Sequence, residues 1–198
     1  MANPDVSRGL IPTRTFQGRP YTGQSMTFLA TGATGAIYVG SPVTHGGTSA
    51  VFNGQRYTTV AGGFTTGSTV VGVCVGVIPV TRESTVYRAT STDRLIQVCT
   101  DPDMLFEVQD NETTDAAAVL AAEFGMVADL SSDGGSTVTG LSNIQLDGST
   151  AVAQASSDQT EDVQIIEIVR RPDNELGAHA AYLVRLLNHY LRTDDADA

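Results

Sequence analysis

Between Met26 and Gln109 the chain is cut into short runs rich in Val, Ile, Thr, Tyr and Phe by clusters of Gly, Ser, Asn and Pro. The runs are MTFLA, AIYVG, AVFNG, RYTTV, TVVGVCVGVIPV, TVYRA, RLIQVC and LFEVQ. β-Branched and aromatic side chains suit a pleated surface, and the residues between them supply turns. Recurrence every 8 to 12 residues or so is the spacing of an antiparallel sandwich or barrel and leaves little room for helices. The expected fold is therefore mainly β, with a sandwich or barrel-like body. Asn53-Gly54 marks a hairpin, because both residues tolerate positive φ. The apolar run Val70 to Val80 is interrupted by Gly72 and Gly76, and it suits a strand buried on both faces better than a helix.

Around this body, 26–110, the remaining chain divides by composition. Residues 1–25 carry Pro4, Pro12 and Pro20 with Arg8, Arg14 and Arg19 interleaved, which predicts an extended arm, because proline fixes φ and removes a donor. Residues 111–160 contain, from Thr113, TTDAAAVLAAEFG, where Thr113 or Thr114 can cap, Asp115 favours the positive end of the dipole and Gly125 can terminate. One short helix is expected there, at about 114–124. The small, polar stretch 129–160 reads as a long surface excursion with two short strands at most, and only Val138, Leu141, Ile144 and Leu146 can pack. Residues 161–192 pair VQIIEIV with AYLVRLLN across RRPDNELG, where Pro172 fits the second position of a type I turn. Leu183, Leu186, Leu187, Tyr190 and Leu191 would equally form a helical stripe. Residues 193–198 are an acidic tail.

With 198 residues the chain can build one substantial domain or two small ones sharing an interface, and 41% hydrophobic residues supply a core. No apolar run approaches the ~20 residues of a membrane-spanning helix. MANPDVSRGL has no basic flank leading into an apolar stretch, so the chain reads as soluble and unprocessed. A net charge of −11 opposes binding to nucleic acid, whose affinity depends on cations replacing phosphate counterions. Lysine is absent, and all 11 basic residues are arginine. Cys74 and Cys99 lie in apolar strand-like runs and read as buried free thiols, although neighbouring strands could bring them close enough to bridge.

Catalytic and cofactor signatures are weak. A P-loop is excluded by the missing lysine, and neither TGATGAIYVG nor GGFTTG leads into the helix that a dinucleotide site needs. No GxSxG occurs, and Ser142 in GLSNI is only a partial match. His45, His179 and His189 are scattered, and Asp129 with Asp133 lacks EF-hand spacing. The expectation is no enzyme, no cofactor and no metal.

Three blocks carry a family resemblance: YRATSTDRLIQVCTDPDMLFEVQ from Tyr87, GGSTVTGLSNIQLDGST from Gly134 and VRRPDNELGAHAAYLVRLLNHY from Val169. Weaker ones are IYVGSPVTHGG from Ile37 and GVCVGVIPV from Gly72. Together they resemble small virion structural proteins of tailed viruses, the capsid decoration or cement proteins. The resemblance implies a protein on the outer surface of the expanded head, with the major capsid protein and copies of itself, as a homotrimer, for partners. Neither nucleic acid nor membrane is expected to be one. Arg8, Arg14 and Arg19 of the arm and Arg170 and Arg171 of the hairpin are the candidate contacts with acidic groups on a partner. The rival reading is a virion surface adhesin or head-fibre base recognising host glycan, which the absence of Trp disfavours. The lysine-free acidic composition fits a GC-rich genome or a high-salt setting such as a haloarchaeal host.

Overall fold

The strand-and-turn pattern resolves into two sheets in the computed structural model, which describes residues 3–32, 34–114, 119, 124–131, 134–153 and 161–192. In chain order the strands are β1 (Ile11–Thr15), β2 (Met26–Ala30), β3 (Pro42–Phe52), β4 (Gln55–Ala61), β5 (Val70–Val77) and β6 (Arg94–Cys99). There follow β7 (Met104–Gln109), β8 (Val127–Leu130), β9 (Leu146–Val152), β10 (Val163–Ile168) and β11 (Ala181–Leu186). Strands β2-β4-β3-β5-β6 close a barrel, and the others form a sheet in the order β1-β7-β11-β10-β8-β9. The protein is thus mainly β, with a barrel and a sheet packed together.

Local chemistry accounts for several joints. Asn53 (φ 49°) and Gly54 (φ 78°) turn β3 into β4, the left-handed pair that a two-residue hairpin needs. The barrel closes where β2 lies parallel to β4 at Leu29 and Ala30 and antiparallel to β6 along its whole length. Strand β5 is buried on both faces, as its apolar run predicts despite the glycines in it. Val71 and Cys74 face the barrel interior with Val43, Val60, Ile96 and Val98, while Val70 and Val73 face a second core under the six-stranded sheet. That second core holds Phe106, Val108, Ala128, Leu146, Ile165, Tyr182 and Val184. Cys74 and Cys99 belong to different cores, so they remain free although their strands are neighbours.

The C-terminal block is the expected antiparallel pair. Asn174 N–H donates to Arg171 O across Pro172, and the Asn174 side chain bridges the hairpin by donating to Val169 O and Ala181 O and accepting from Ala181 N–H. Strand wins over helix for β11 because β7 and β10 flank it and bond its backbone from both sides, while Tyr182, Val184 and Leu186 enter the core.

Residues 3–25 are extended, as their prolines require, and lie along the chain's own body. Gly9 (φ 69°) passes so close to the barrel that an added Cβ would sit 2.7 Å from Gly40 O, and Leu10 beyond it is buried. Strand β1 then pairs with β7, its proline tolerated because the strand is an edge. A turn at Thr15–Arg19 brings Pro20 back beside Arg14. In the polar stretch after β8, Ile144 and Leu146 enter the core, and β9 forms the opposite sheet edge, while Val138 stays 85% exposed. The helix expected at about 114–124 lies outside the described residues apart from Thr114, Val119 and Phe124, and the acidic tail lies wholly outside them.

Candidate partner-binding face

The six-stranded sheet has one face on the core and one turned outward, and alternation decides which side chains appear there. Cross-strand pairs place Arg14 beside Leu105, Glu107 beside Leu183, and Arg185 beside Gln164, all on the outer face. A bulge between Ile165 and Glu167 shifts the register of β10, so that Glu167 rather than Ile166 stands opposite Leu183. Glu167 then accepts a short hydrogen bond from Arg14, reaching over β7 and β11, and lies 3.5 Å from Arg170. Leu105 and Leu183 beneath are buried although they face outward. Arginine's long apolar stem with a charged head suits it to such a roof.

On the hairpin turn, Arg171 pairs closely with Glu107 and lies 3.2 Å from Asp173. The hydrogen bond that it donates to Glu107 holds its guanidinium above the usual arginine range. Arg192 pairs with Asp103 at the far end of β7, and Arg185 donates to Gln164 Oε1 at 2.8 Å while lying 5.8 Å from the Phe16 ring centre. Burial, with Arg192 nearby, lowers the Arg185 pKa.

Between residues 3–11, β7 and the hairpin turn is a cleft of about 300 Å³, bordered by Arg8, Glu107, Gln109, Arg171, Asp173 and His179. Gln109 ties its rim, accepting from Val6 N–H and donating to Pro4 O and His179 O. Asn3 does the same at the other end through Glu175 and Ala178.

Of the sequence candidates, Arg14, Arg170 and Arg171 come together through Glu167 and Glu107, and Arg8 joins Arg171 at the cleft. Arg19 stands apart on the turn after β1. Among the described residues, Arg8 and Arg19 make no ion pair, and the Arg170 side chain is 84% exposed. Arg185 and Arg192 escaped the sequence reading. Alternation in AYLVRLLN would have put Arg185 on the face opposite Tyr182 and Val184, but nothing local tells which strands flank it.

The other motifs have structural occupants. Carbonyls of Gly32, Thr34 and Gly35, in TGATGA, surround the guanidinium of buried Arg88. Gly67, in GGFTTG, gives its N–H to Asp162 Oδ1 at 2.9 Å, a protein carboxylate where a phosphate would sit in a nucleotide site. Asp162 also accepts from Leu130 N–H, and burial raises its pKa to about 6. Asp110 accepts from Glu112 and Val119, and burial again raises its pKa. Ser142 is buried, donates to Gly134 O and accepts from Ile144 N–H. His45 stacks on Tyr190 with ring centres 5.2 Å apart, and burial lowers the pKa of His189. Among the described residues no three His, Cys, Asp or Glu stand close enough to hold a metal ion, and Asp133 lies outside them. No helix among those residues is long and apolar enough to cross a membrane.

No protein-family model, no curated protein and no solved structure matches this chain.

Proposed function

We propose that this protein decorates the capsid of a tailed virus, binding the outer surface of the expanded head and joining adjacent major capsid subunits. The resemblance of the Tyr87, Gly134 and Val169 blocks to decoration proteins supports this reading. The observation that carries it is the gathering of Arg8, Arg14, Arg170, Arg171, Arg185 and Arg192 on or beside one sheet face of a molecule with net charge −11. Their acidic partners bring that face near charge balance, so it approaches a second protein with less repulsion than the rest of the surface. Function then requires no turnover. Each contact stabilises the assembled lattice by mass action, and several copies acting together gain avidity from modest interfaces. Self-association, as a homotrimer by analogy with such proteins, belongs to the same proposal.

Quantitative mass spectrometry of purified virions is the test. A copy number close to that of the major capsid protein is expected, and Arg8→Glu with Arg19→Glu and Arg170→Glu should weaken binding to empty heads several-fold. These three are chosen because Arg8 and Arg19 make no ion pair among the described residues and Arg170 is 84% exposed with a longer, 3.5 Å contact to Glu167, whereas reversing the half-buried Arg14 would break its close pair with Glu167 and disturb the fold itself. A copy number of a few per cent of that protein would move the chain to a vertex or tail and favour the glycan-binding adhesin. That rival draws no support from the cleft, whose lining carries no Tyr or Phe. Absence from virions would overturn both.

A further inference from the structure

We infer that Arg185, Arg192 and Phe16 form a docking site for an acidic segment of a partner protein, setting a carboxylate against the two guanidiniums and an apolar side chain against the ring. The inference rests on the reading of the outer sheet face as a partner-binding face, and it narrows that face to one end and one kind of ligand.

Alternation along β11 turns Leu183 and Arg185 outward, and pairing across the sheet sets Arg14, Leu105, Arg185 and Gln164 in one row. The two arginines of that row differ in how their charge is met. Arg14 has the carboxylate of Glu167, whereas among the described residues no carboxylate pairs with Arg185. Arg185 donates instead to the neutral amide oxygen of Gln164 at 2.8 Å, and its Nε is buried without a hydrogen-bond partner. The neighbouring cation is Arg192, in the 3-10 turn Tyr190–Arg192, and its close pair with Asp103 leaves its own side chain 23% exposed. Asp103 thus serves two guanidiniums. At Arg185 burial and then Arg192 lower the pKa, and Asp103 opposes them less strongly. Asp101 adds little acceptor capacity, because one of its oxygens already takes the Asp103 N–H at 2.9 Å.

An apolar rim lies beside this surplus of positive charge. Phe16, in the turn after β1, donates its N–H to Asp103 O at 2.7 Å, and its ring stands 5.8 Å from the Arg185 guanidinium while remaining 57% exposed. Leu191, next to Arg192, is 65% exposed. Arginine with an exposed aromatic side chain is a combination enriched at protein interfaces, and the flat guanidinium fork matches a carboxylate.

Charge and apolar area together select the occupant. Nucleic acid is disfavoured by a net charge of −11, and a small inorganic anion would leave Phe16 and Leu191 in water. A protein segment with a carboxylate beside an aliphatic side chain satisfies both. The rest of this acidic surface repels such a segment, which confines it to this end of the sheet.

The test is an NMR titration of the isotope-labelled full chain with the peptide Leu-Asp-Glu-Leu-Asp, at about 0.15 M salt so that charges beyond ~8 Å are largely screened. Saturable shifts are expected at Phe16, Arg185, Leu191 and Arg192, and none with the matching peptide of Asn and Gln. Arg185→Gln should weaken binding about tenfold, and Phe16→Ala, at an exposed position, should weaken it less. Arg56→Gln, in β4 of the barrel, should leave binding unchanged. Absence of shifts at these four residues, or an equal response to the amide peptide, would overturn the inference. Binding seen only after Asp194→Asn, Asp195→Asn and Asp197→Asn would overturn it in favour of the chain's own acidic end as occupant. A virion copy number close to that of the major capsid protein, without peptide binding, would sink this site and leave decoration standing.

Discussion

Arg88 shows how much one buried side chain organises. It is wholly buried, and its guanidinium donates to the carbonyls of Gly32, Thr34, Gly35 and Thr92 and to the Thr34 hydroxyl. Burial lowers its pKa, with Asp93 opposing that effect more weakly. Replacing it with Met strands those carbonyls without donors, and we expect Arg88→Met to cost about 3 kcal/mol in urea unfolding. Arg88→Lys should recover only part, since an ammonium has three donors for five acceptors. Asp162 makes the opposite kind of prediction. Its folded pKa of about 6 lies above the ordinary carboxylate value, so the folded protein holds that proton more tightly than the unfolded chain does. Stability from this group is greatest in mild acid and falls as pH rises from about 4 through 6, by on the order of 2 kcal/mol. Asp129 and Glu161 nearby add to the shift, and Asp110 is displaced in the same direction. Urea midpoints at pH 4.5 and pH 7 should differ accordingly, and Asp162→Asn should remove most of the difference.

Two glycines separate the kinds of constraint that operate on elements. At Gly54 nothing stands within 4 Å of an added Cβ, so Gly54→Ala meets only the left-handed backbone penalty, about 1 kcal/mol, read as a small fall in melting temperature. At Gly72 (φ 153°) the added carbon would collide with Cys99 O across the β5–β6 ladder. Gly72→Ala should cost more than ~3 kcal/mol and yield little folded protein, because the closed barrel cannot open locally to admit it. Sequence made the first position legible through Asn-Gly turn chemistry, and it offered only an interrupted apolar run for the second. The same contrast holds in β11, where a helical stripe and a strand were equally compatible with AYLVRLLN until flanking strands decided.

At the scale of the whole molecule, charge is distributed unevenly, with arginine and acid balanced on the outer sheet face and acid in excess elsewhere. Screening shortens from about 10 Å at 0.1 M salt to about 3 Å at 1 M. We expect the urea midpoint to rise between 0.1 and 2 M KCl if the lysine-free acidic surface is an adaptation to salt, and to stay level if it reflects only the base composition of the genome. What the sequence alone determined was local: most strand positions between Met26 and Gln109, the Asn53-Gly54 and Pro172 turns, and a strand apolar on both faces, since each depends on the sterics and hydropathy of adjacent residues. The runs AIYVG and TVYRA, read as strands, make only isolated bridges at Ile37, Val39 and Arg88, and Ile11–Thr15, read as an arm, is a strand. Tertiary structure alone decided that the strands divide into a closed barrel and a six-stranded sheet, that residues 3–25 bind their own body, and that Arg14 meets Glu167. Those outcomes join residues far apart in the chain through strand order and a single bulge, and no short-range pattern encodes either.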